Sequence, residues 1–119
     1  QTIDTLCERA TRKQLAISKK RFIIDSWSGE TSDLVEVYRV EKYETRAMLW
    51  HYGTLTCTID FAKNGDATLD YIYGQSVSDA DSIYTFCNYF NVQIRTGYKP
   101  VNGGFWYEMD GQVTSLGNN

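Results

Sequence analysis

The sequence predicts an α+β domain in which an antiparallel β-meander of three to five strands is covered by one or two helices. Residues 54 to 61 (TLTCTIDF) alternate apolar and polar side chains, as a half-buried strand requires. A helical apolar face follows further along the chain at Ile83, Phe86, Cys87 and Phe90. With 119 residues and 42% hydrophobic content, the chain is long enough for a single domain with one core.

The N-terminal segment has the pattern of a basic amphipathic helix, which we assign to residues 1 to 21. Apolar residues recur every three or four positions between Ile3 and Ile17. Six of the twelve basic residues of the chain lie in this segment: Arg9, Arg12, Lys13, Lys19, Lys20 and Arg21. Residues 1 to 21 therefore carry a net charge of +4, and the rest of the chain carries −7. Such a basic end can contact nucleic acid, dock on its own acidic body or keep a helix soluble.

The meander is predicted over residues 34 to 74. Residues 26 to 33 are mostly small and polar, which indicates a loop before it. The first segment, residues 34 to 43, contains three valines and favours a strand, because β-branched side chains fit a pleated sheet. A helix that begins at Thr31 or Ser32 is the alternative for this segment.

The segment AKNGDA, residues 62 to 67, predicts a turn between two of these strands. A two-residue turn at Asn64-Gly65 would place apolar residues opposite polar ones. A three-residue loop from Lys63 to Gly65 instead gives consistent pairs: Phe61 with Ala67, Ile59 with Leu69, Cys57 with Tyr71 and Leu55 with Tyr73. We therefore expect a type I turn with Gly65 in a left-handed bulge.

A second turn is predicted at Tyr52-Gly53. The same reasoning pairs Trp50 with Leu55 and Met48 with Cys57 across it. At least three strands of the meander would then share one apolar face.

The segment SDAD, residues 78 to 81, predicts the start of a helix over residues 78 to 90. Ser78 and Asp81 have the spacing of a capping box. Asp79 and Asp81 would lie in the first turn, where the helix dipole favours negative charge. A calcium or magnesium site is the alternative, but it needs about six oxygen ligands and this segment offers two carboxylates. We therefore predict a structural role for SDAD and no metal.

Two short strands are predicted after this helix, at residues 92 to 96 and 105 to 109. Large side chains border the loop between them, and we predict a partner-binding surface there: Arg95, Tyr98, Lys99, Phe105 and Trp106. The alternative is that half of these aromatic side chains complete the core. Residues 112 to 119 are expected to fray.

The sequence contains no recognisable catalytic or cofactor motif. Cys7, Cys57 and Cys87 are widely spaced, which predicts free thiols in a reducing, cytoplasmic compartment. The only histidine, His51, lies in a predicted strand, and we expect it to be structural or superficial rather than a general base. A nucleophile elbow and a phosphate-binding glycine loop are both absent from the sequence. We therefore expect no cofactor, and no membrane partner because no run of 18 apolar residues occurs.

Three segments follow one another in a distinctive order: YET at residues 43 to 45, the hairpin, and YGQSVSDADSIYTFCNYF at residues 73 to 90. This order suggests a relationship to a known type of domain. Over about residues 40 to 92, the chain resembles a small uncharacterised domain of bacteriophage and mobile-element proteins. The resemblance implies no known activity. It implies an accessory protein, for which inhibition of a host defence system is one role.

Three functions are compatible with the sequence. The first is a non-enzymatic protein-binding module without a cofactor. The second is a nucleic-acid-binding protein that uses the basic N-terminal segment, although a basic field over the whole domain is missing. The third is a small hydrolase, which would require a cleft that holds His51 beside a carboxylate.

Overall fold

The computed structural model describes residues 2 to 99 and 104 to 116. In chain order, the elements are α1 (Ile3–Lys13), β1 (Leu15–Lys20), β2 (Ile23–Asp25), β3 (Glu30–Thr31), β4 (Val35–Lys42), β5 (Arg46–His51), β6 (Thr54–Phe61), β7 (Ala67–Ile72), α2 (Val77–Tyr89), β8 (Arg95–Lys99), β9 (Gly104–Met109) and β10 (Gln112–Ser115). The predicted α+β class is confirmed. Within these residues, the helices are too short or too polar to cross a membrane.

The main sheet has five antiparallel strands in the order β1-β4-β5-β6-β7. The predicted meander is confirmed as β4 to β7, and residues 35 to 42 form a strand rather than the alternative helix. Helix α1 packs on β1 and β4, helix α2 packs on β5 and β6, and the two helices contact each other. Strands β8 to β10 form a second sheet beside α2, and within the described residues β2 pairs only with β3.

The core lies between the main sheet and the two helices. Fully buried side chains from both layers fill it: Leu6, Cys7, Val40, Leu49, Cys57, Ile59, Ile83, Phe86 and Cys87. The helical apolar face predicted at residues 83 to 90 is confirmed, because all four of its side chains are buried. The three cysteines are free thiols in this core. Burial raises the pKa of Cys7 to about 12 and that of Cys57 well above its usual range, so both are protonated at neutral pH.

The prediction of one helix over residues 1 to 21 is wrong beyond Lys13. Gln14 adopts a left-handed conformation, with φ of 72°, and its amide donates to the Ala10 carbonyl at 2.7 Å to end the helix. Residues 15 to 20 then pair with β4. The helical spacing of Ile17 is coincidental, because its β-branched side chain serves equally well in a strand and the partner strand supplies the backbone hydrogen bonds.

The three-residue loop between β6 and β7 is confirmed. Gly65 has φ of 92°, and its amide donates to the Ala62 carbonyl at 2.9 Å as in a type I turn. Phe61 pairs with Ala67 and Ile59 with Leu69, as expected. Beyond them, a β-bulge at Asp70 shifts the register by one residue. The expected pairs of Cys57 with Tyr71 and Leu55 with Tyr73 are therefore wrong, and Cys57 lies opposite Ile72.

A second bulge changes the pairing of β5 with β6. Trp50 pairs with Leu55 as expected, but Thr56 is an extra residue, so Leu49 rather than Met48 pairs with Cys57. Thr56 is itself buried, and its hydroxyl donates to the Leu49 carbonyl at 3.2 Å. Ala47 and Leu49 are therefore the β5 residues that face the core, and Met48 and Trp50 lie on the other side of the sheet.

Helix α2 begins earlier than predicted. Its N-cap is Ser76, whose hydroxyl accepts a hydrogen bond from the Asp79 amide at 3.0 Å. The Asp79 carboxylate in turn accepts from the Gln75 amide at 2.9 Å. The predicted capping box of Ser78 and Asp81 is therefore wrong, because the same residue types occur two positions earlier with the same spacing.

The C-terminal region contains one more strand than predicted. The strand expected at residues 92 to 96 lies at 95 to 99, and residues 112 to 115, expected to fray, form β10 and pair with β9. Asp110 and Gly111 both have positive φ and form the two-residue turn between them. Leu116 is buried against the core, which holds this end in place. Residues 117 to 119 lie outside the described part of the chain.

Replacing Gly65 by alanine is expected to lower the free energy of unfolding by about 1 kcal/mol or more, because φ is positive there. A new Cβ would meet no atom within 4 Å, so the cost comes from the backbone conformation alone. Chemical denaturation measures it, with Lys63→Ala in the same loop as the control. A Gly65→Ala protein as stable as the wild type would contradict the left-handed turn.

Replacing Ser76 by alanine is expected to cost about 0.5 to 2 kcal/mol of stability, because the Asp79 amide loses its cap. Ser78→Ala is the matched control in the first turn of the helix and should change stability by less than about 0.5 kcal/mol. Parallel denaturation curves of the two variants compare the sites. Equal losses, or a larger loss for Ser78→Ala, would contradict the assigned N-cap.

Candidate functional site

His51 lies at the end of β5, beside the first turn of α2. Its side chain is largely buried, and its Nδ1 atom is 2.6 Å from Oδ1 of Asp79. These two residues are 28 positions apart in the sequence. The hydrogen bond therefore joins the main sheet to the helix that covers it.

The Asp79 carboxylate has several hydrogen-bond donors. Burial alone would raise the pKa of Asp79, but hydrogen bonds from the Gln75 amide, from His51 and at Ser76 outweigh burial and lower it. The carboxylate is therefore ionised at neutral pH. An ionised carboxylate can only accept hydrogen bonds, so the Nδ1 atom of His51 carries the proton and donates it.

The other ring nitrogen of His51, Nε2, has no hydrogen-bond partner in the described part of the chain. Every fully buried side-chain nitrogen or oxygen in the described residues has a hydrogen-bond partner, so Nε2, which has none, is not fully buried. Solvent therefore reaches it. Tyr38 stacks on the imidazole, with ring centroids 4.4 Å apart and planes within 10°. Burial is the main cause of the raised pKa of Tyr38, which is therefore neutral beside the ring. The imidazole is thus fixed in orientation, and its neutral form presents a lone pair at Nε2.

A pocket of about 380 Å³ opens beside this histidine. Eight residues line it: His51, Tyr52, Thr54, Tyr73, Gln75, Ser76, Ser78 and Asp79. Among the residues that the structure describes, its lining is rich in hydroxyl and amide groups and contains no lysine or arginine. The pocket thus suits a neutral ligand with hydrogen-bonding groups.

Two backbone conformations shape the edge of this pocket. Tyr52 and Gly53 form a two-residue turn in which both have positive φ, and such a φ is uncommon for tyrosine. The Tyr52 amide donates to the Val37 carbonyl at 2.7 Å, and its ring lies 4.7 Å from that of His51. These contacts hold a backbone conformation of the kind that is concentrated at functional sites.

The β2–β3 hairpin is the second candidate region, and its side chains face solvent. Every residue from 23 to 31 is exposed. Trp27 at its tip is 97% exposed, and Ile23 and Ile24 are 71% and 63% exposed. Large apolar side chains grouped in this way are typical of interaction surfaces.

Hydrogen bonds order this hairpin although it is outside both larger sheets. The Trp27 amide donates to the Asp25 carboxylate at 2.9 Å, and the Gly29 amide donates to the Asp25 carbonyl at 2.9 Å. At its base, the Ser32 amide donates to the Phe22 carbonyl at 2.7 Å. The sequence predicted a loop only over residues 26 to 33 and a strand or a buried connection at residues 21 to 27, so the exposure of Ile23 and Ile24 was not expected.

The partner-binding residues predicted in the C-terminal region lie on β8 and β9. Arg95 donates to Glu108 across the strands at 2.7 Å, and the Tyr98 and Phe105 ring centroids are 5.4 Å apart. Tyr98 is 52% exposed, and Phe105 packs against the core. Trp106 covers Gly97, where a Cβ would lie 2.6 Å from the indole. The Lys99 side chain and residues 100 to 103 lie outside the described residues.

The six basic residues of the N-terminal segment do not form one helix face. Arg9, Arg12 and Lys13 are on α1, Lys19 and Lys20 are on β1, and Arg21 follows β1. Arg12 lies 3.8 Å from Glu8, and Arg21 donates to the Ser32 carbonyl at 3.2 Å. Nucleic-acid binding by these residues stays a prediction.

No protein family model, curated protein or solved structure matches the chain. The resemblance of residues 40 to 92 to a phage and mobile-element domain therefore stays a prediction, as do the partner and the activity.

The ionised form of Asp79 is expected to stabilise the fold in a pH-dependent manner. Because its pKa is lower in the folded than in the unfolded chain, its contribution is complete above the unfolded value of about 4 and is lost as the pH falls through the folded value. Melting curves between about pH 7 and pH 2 should therefore show a stability difference between wild type and Asp79→Asn that shrinks in acid. A difference that is constant over this range would contradict the role of the charge.

Proposed function

We propose that the protein is a cytoplasmic protein-binding module whose main contact with its partner is the β2–β3 hairpin. The exposure of Trp27, 97% on an ordered turn, is the observation that carries this proposal. A tryptophan side chain buries about 150 to 250 Å² when it docks, and tryptophan is enriched among the residues that dominate binding energy. Ile23 and Ile24 extend the apolar contact along the same hairpin.

The partner is a protein with an apolar groove. Within the described residues, the hairpin pairs with no other strand, so it can enter such a groove without rearrangement of the sheets. The resemblance of residues 40 to 92 to a phage and mobile-element domain makes host-defence proteins the first class of partner to test. Buried free thiols fit a reducing compartment.

Trp27→Ala is expected to weaken binding to the partner by about 2 kcal/mol or more, roughly a thirtyfold rise in Kd, while the melting temperature stays near that of the wild type. The side chain contributes little to the fold because almost all of it is in solvent. The partner is first captured from extracts of the native host with wild-type protein. It is then purified, and its Kd for each variant is measured by titration.

Tyr84→Ala is the matched control, since Tyr84 is an exposed aromatic residue on α2. Tyr98→Ala tests the surface predicted on β8 and β9. A Trp27→Ala protein that binds as tightly as the wild type would refute the hairpin contact, and loss of binding in Tyr98→Ala alone would move the interface to that surface. Binding to DNA or RNA that falls steeply with salt would instead favour the nucleic-acid function.

A further inference from the structure

The pocket beside His51 contains the groups of a hydrolytic site. His51 supplies a base at Nε2, Asp79 orients the ring, and the first turn of α2 lies at the pocket wall. We propose that this pocket hydrolyses a small uncharged carboxylic ester, with His51 as the general base and Asp79 as its positioning residue. This activity is separate from the proposed hairpin contact, because Trp27 does not line the pocket.

The geometry of His51 meets the requirements of a general base. The 2.6 Å hydrogen bond from Nδ1 to Asp79 fixes the tautomer that leaves the lone pair on Nε2. Stacking against Tyr38 at 4.4 Å restricts rotation of the ring. Asp79, Tyr38 and Tyr52 are the titratable groups packed against the imidazole, and Asp79 favours the imidazolium that forms when Nε2 accepts a proton.

Donors for a developing oxyanion lie at the start of α2. The amides of Val77 and Ser78 have no hydrogen-bond partner within the described residues, whereas the Asp79 amide is capped by Ser76. Ser76 and Ser78 both line the pocket, so this end of the helix borders it. Unpaired amides at a helix N-terminus stabilise negative charge on oxygen.

The lining of the pocket determines the class of substrate. No lysine or arginine is among the described residues that line it, so a phosphate ester would find no such cation there to neutralise it. An uncharged ester requires no such cation. A pocket of about 380 Å³ is at the small end of the range for ligand sites, which favours a short acyl group.

The reaction balances with water as the only co-reactant. A water oxygen forms a bond to the ester carbonyl carbon while Nε2 of His51 accepts a proton from that water. The carbonyl electron pair moves onto oxygen, next to the helix amides. When the tetrahedral intermediate collapses, the bond from carbon to the leaving alcohol oxygen breaks and Nε2 returns the proton to that oxygen. The products are one carboxylic acid and one alcohol.

The test uses p-nitrophenyl acetate as the probe and follows release of p-nitrophenolate. The wild-type protein should release p-nitrophenolate faster than N-acetylhistidine amide does at equal concentration. The His51→Gln protein should be about a hundredfold slower than the wild type. Because His51 is the only histidine, its ring protons can be followed by NMR without assignment. The rate of p-nitrophenolate release should rise with pH in parallel with the loss of the ring proton that NMR records for His51.

A variant that blocks the pocket keeps the test valid if His51→Gln does not fold. Ser78 is exposed at the pocket wall, so Ser78→Phe should abolish the rate and leave the NMR titration of His51 in place. Gln93→Phe is the control, since Gln93 is exposed and outside the pocket. Wild-type activity in folded Ser78→Phe or His51→Gln would overturn the proposal, as would a wild-type rate equal to that of N-acetylhistidine amide.

Asp79→Asn separates a positioning role from a purely structural one. The asparagine amide can donate to Nδ1, which moves the ring proton to Nε2 and removes the base. Folded Asp79→Asn should therefore lose at least about tenfold of kcat with little change in KM, and the NMR spectrum of its neutral imidazole should show the ring proton on Nε2 instead of Nδ1. Wild-type kcat, or a ring proton that stays on Nδ1, would refute the role of Asp79.

Discussion

The hydrogen bond between His51 and Asp79 links the two layers of the molecule at one point. His51 ends the strand that precedes the tightest turn of the main sheet, and Asp79 lies in the first turn of the covering helix. The same carboxylate accepts from the Gln75 amide, and the amide of Asp79 is capped by Ser76. The start of α2 and the wall of the pocket therefore share the Asp79 carboxylate, which also ties that end of the helix to β5.

The two candidate regions are adjacent although their chemistry differs. Phe22, at the base of the β2–β3 hairpin, lies with its ring 6.4 Å from that of Tyr52, at the edge of the pocket. The hairpin is apolar and projects into solvent, whereas the pocket is polar and is built on the rigid end of the sheet. A partner protein bound to the hairpin would therefore lie close to the mouth of the pocket, because the Phe22 and Tyr52 rings connect the two regions.

Local patterns predicted the elements whose residues obey one simple periodicity. The alternation of β6, the helical face of α2 and the left-handed Gly65 could all be read from neighbouring residues. The strand β1 could not, since Ile17 satisfies helical spacing and only pairing with β4 decides its conformation. The bulges at Thr56 and Asp70 shift register through tertiary packing, which short-range pairing rules do not contain. The pocket was missed because no local signal relates residue 51 to residue 79.

The separation of the β2–β3 hairpin from both larger sheets has an evolutionary consequence. Residues in the core are constrained together, because a change in one side chain must be matched by its neighbours. The exposed apolar side chains of Ile23, Ile24 and Trp27 carry no such constraint, so substitutions there alter what the surface recognises with little effect on folding. This segment can therefore diversify rapidly while the sheet and helices persist, and close relatives of this protein would be expected to share the core and differ in what they bind.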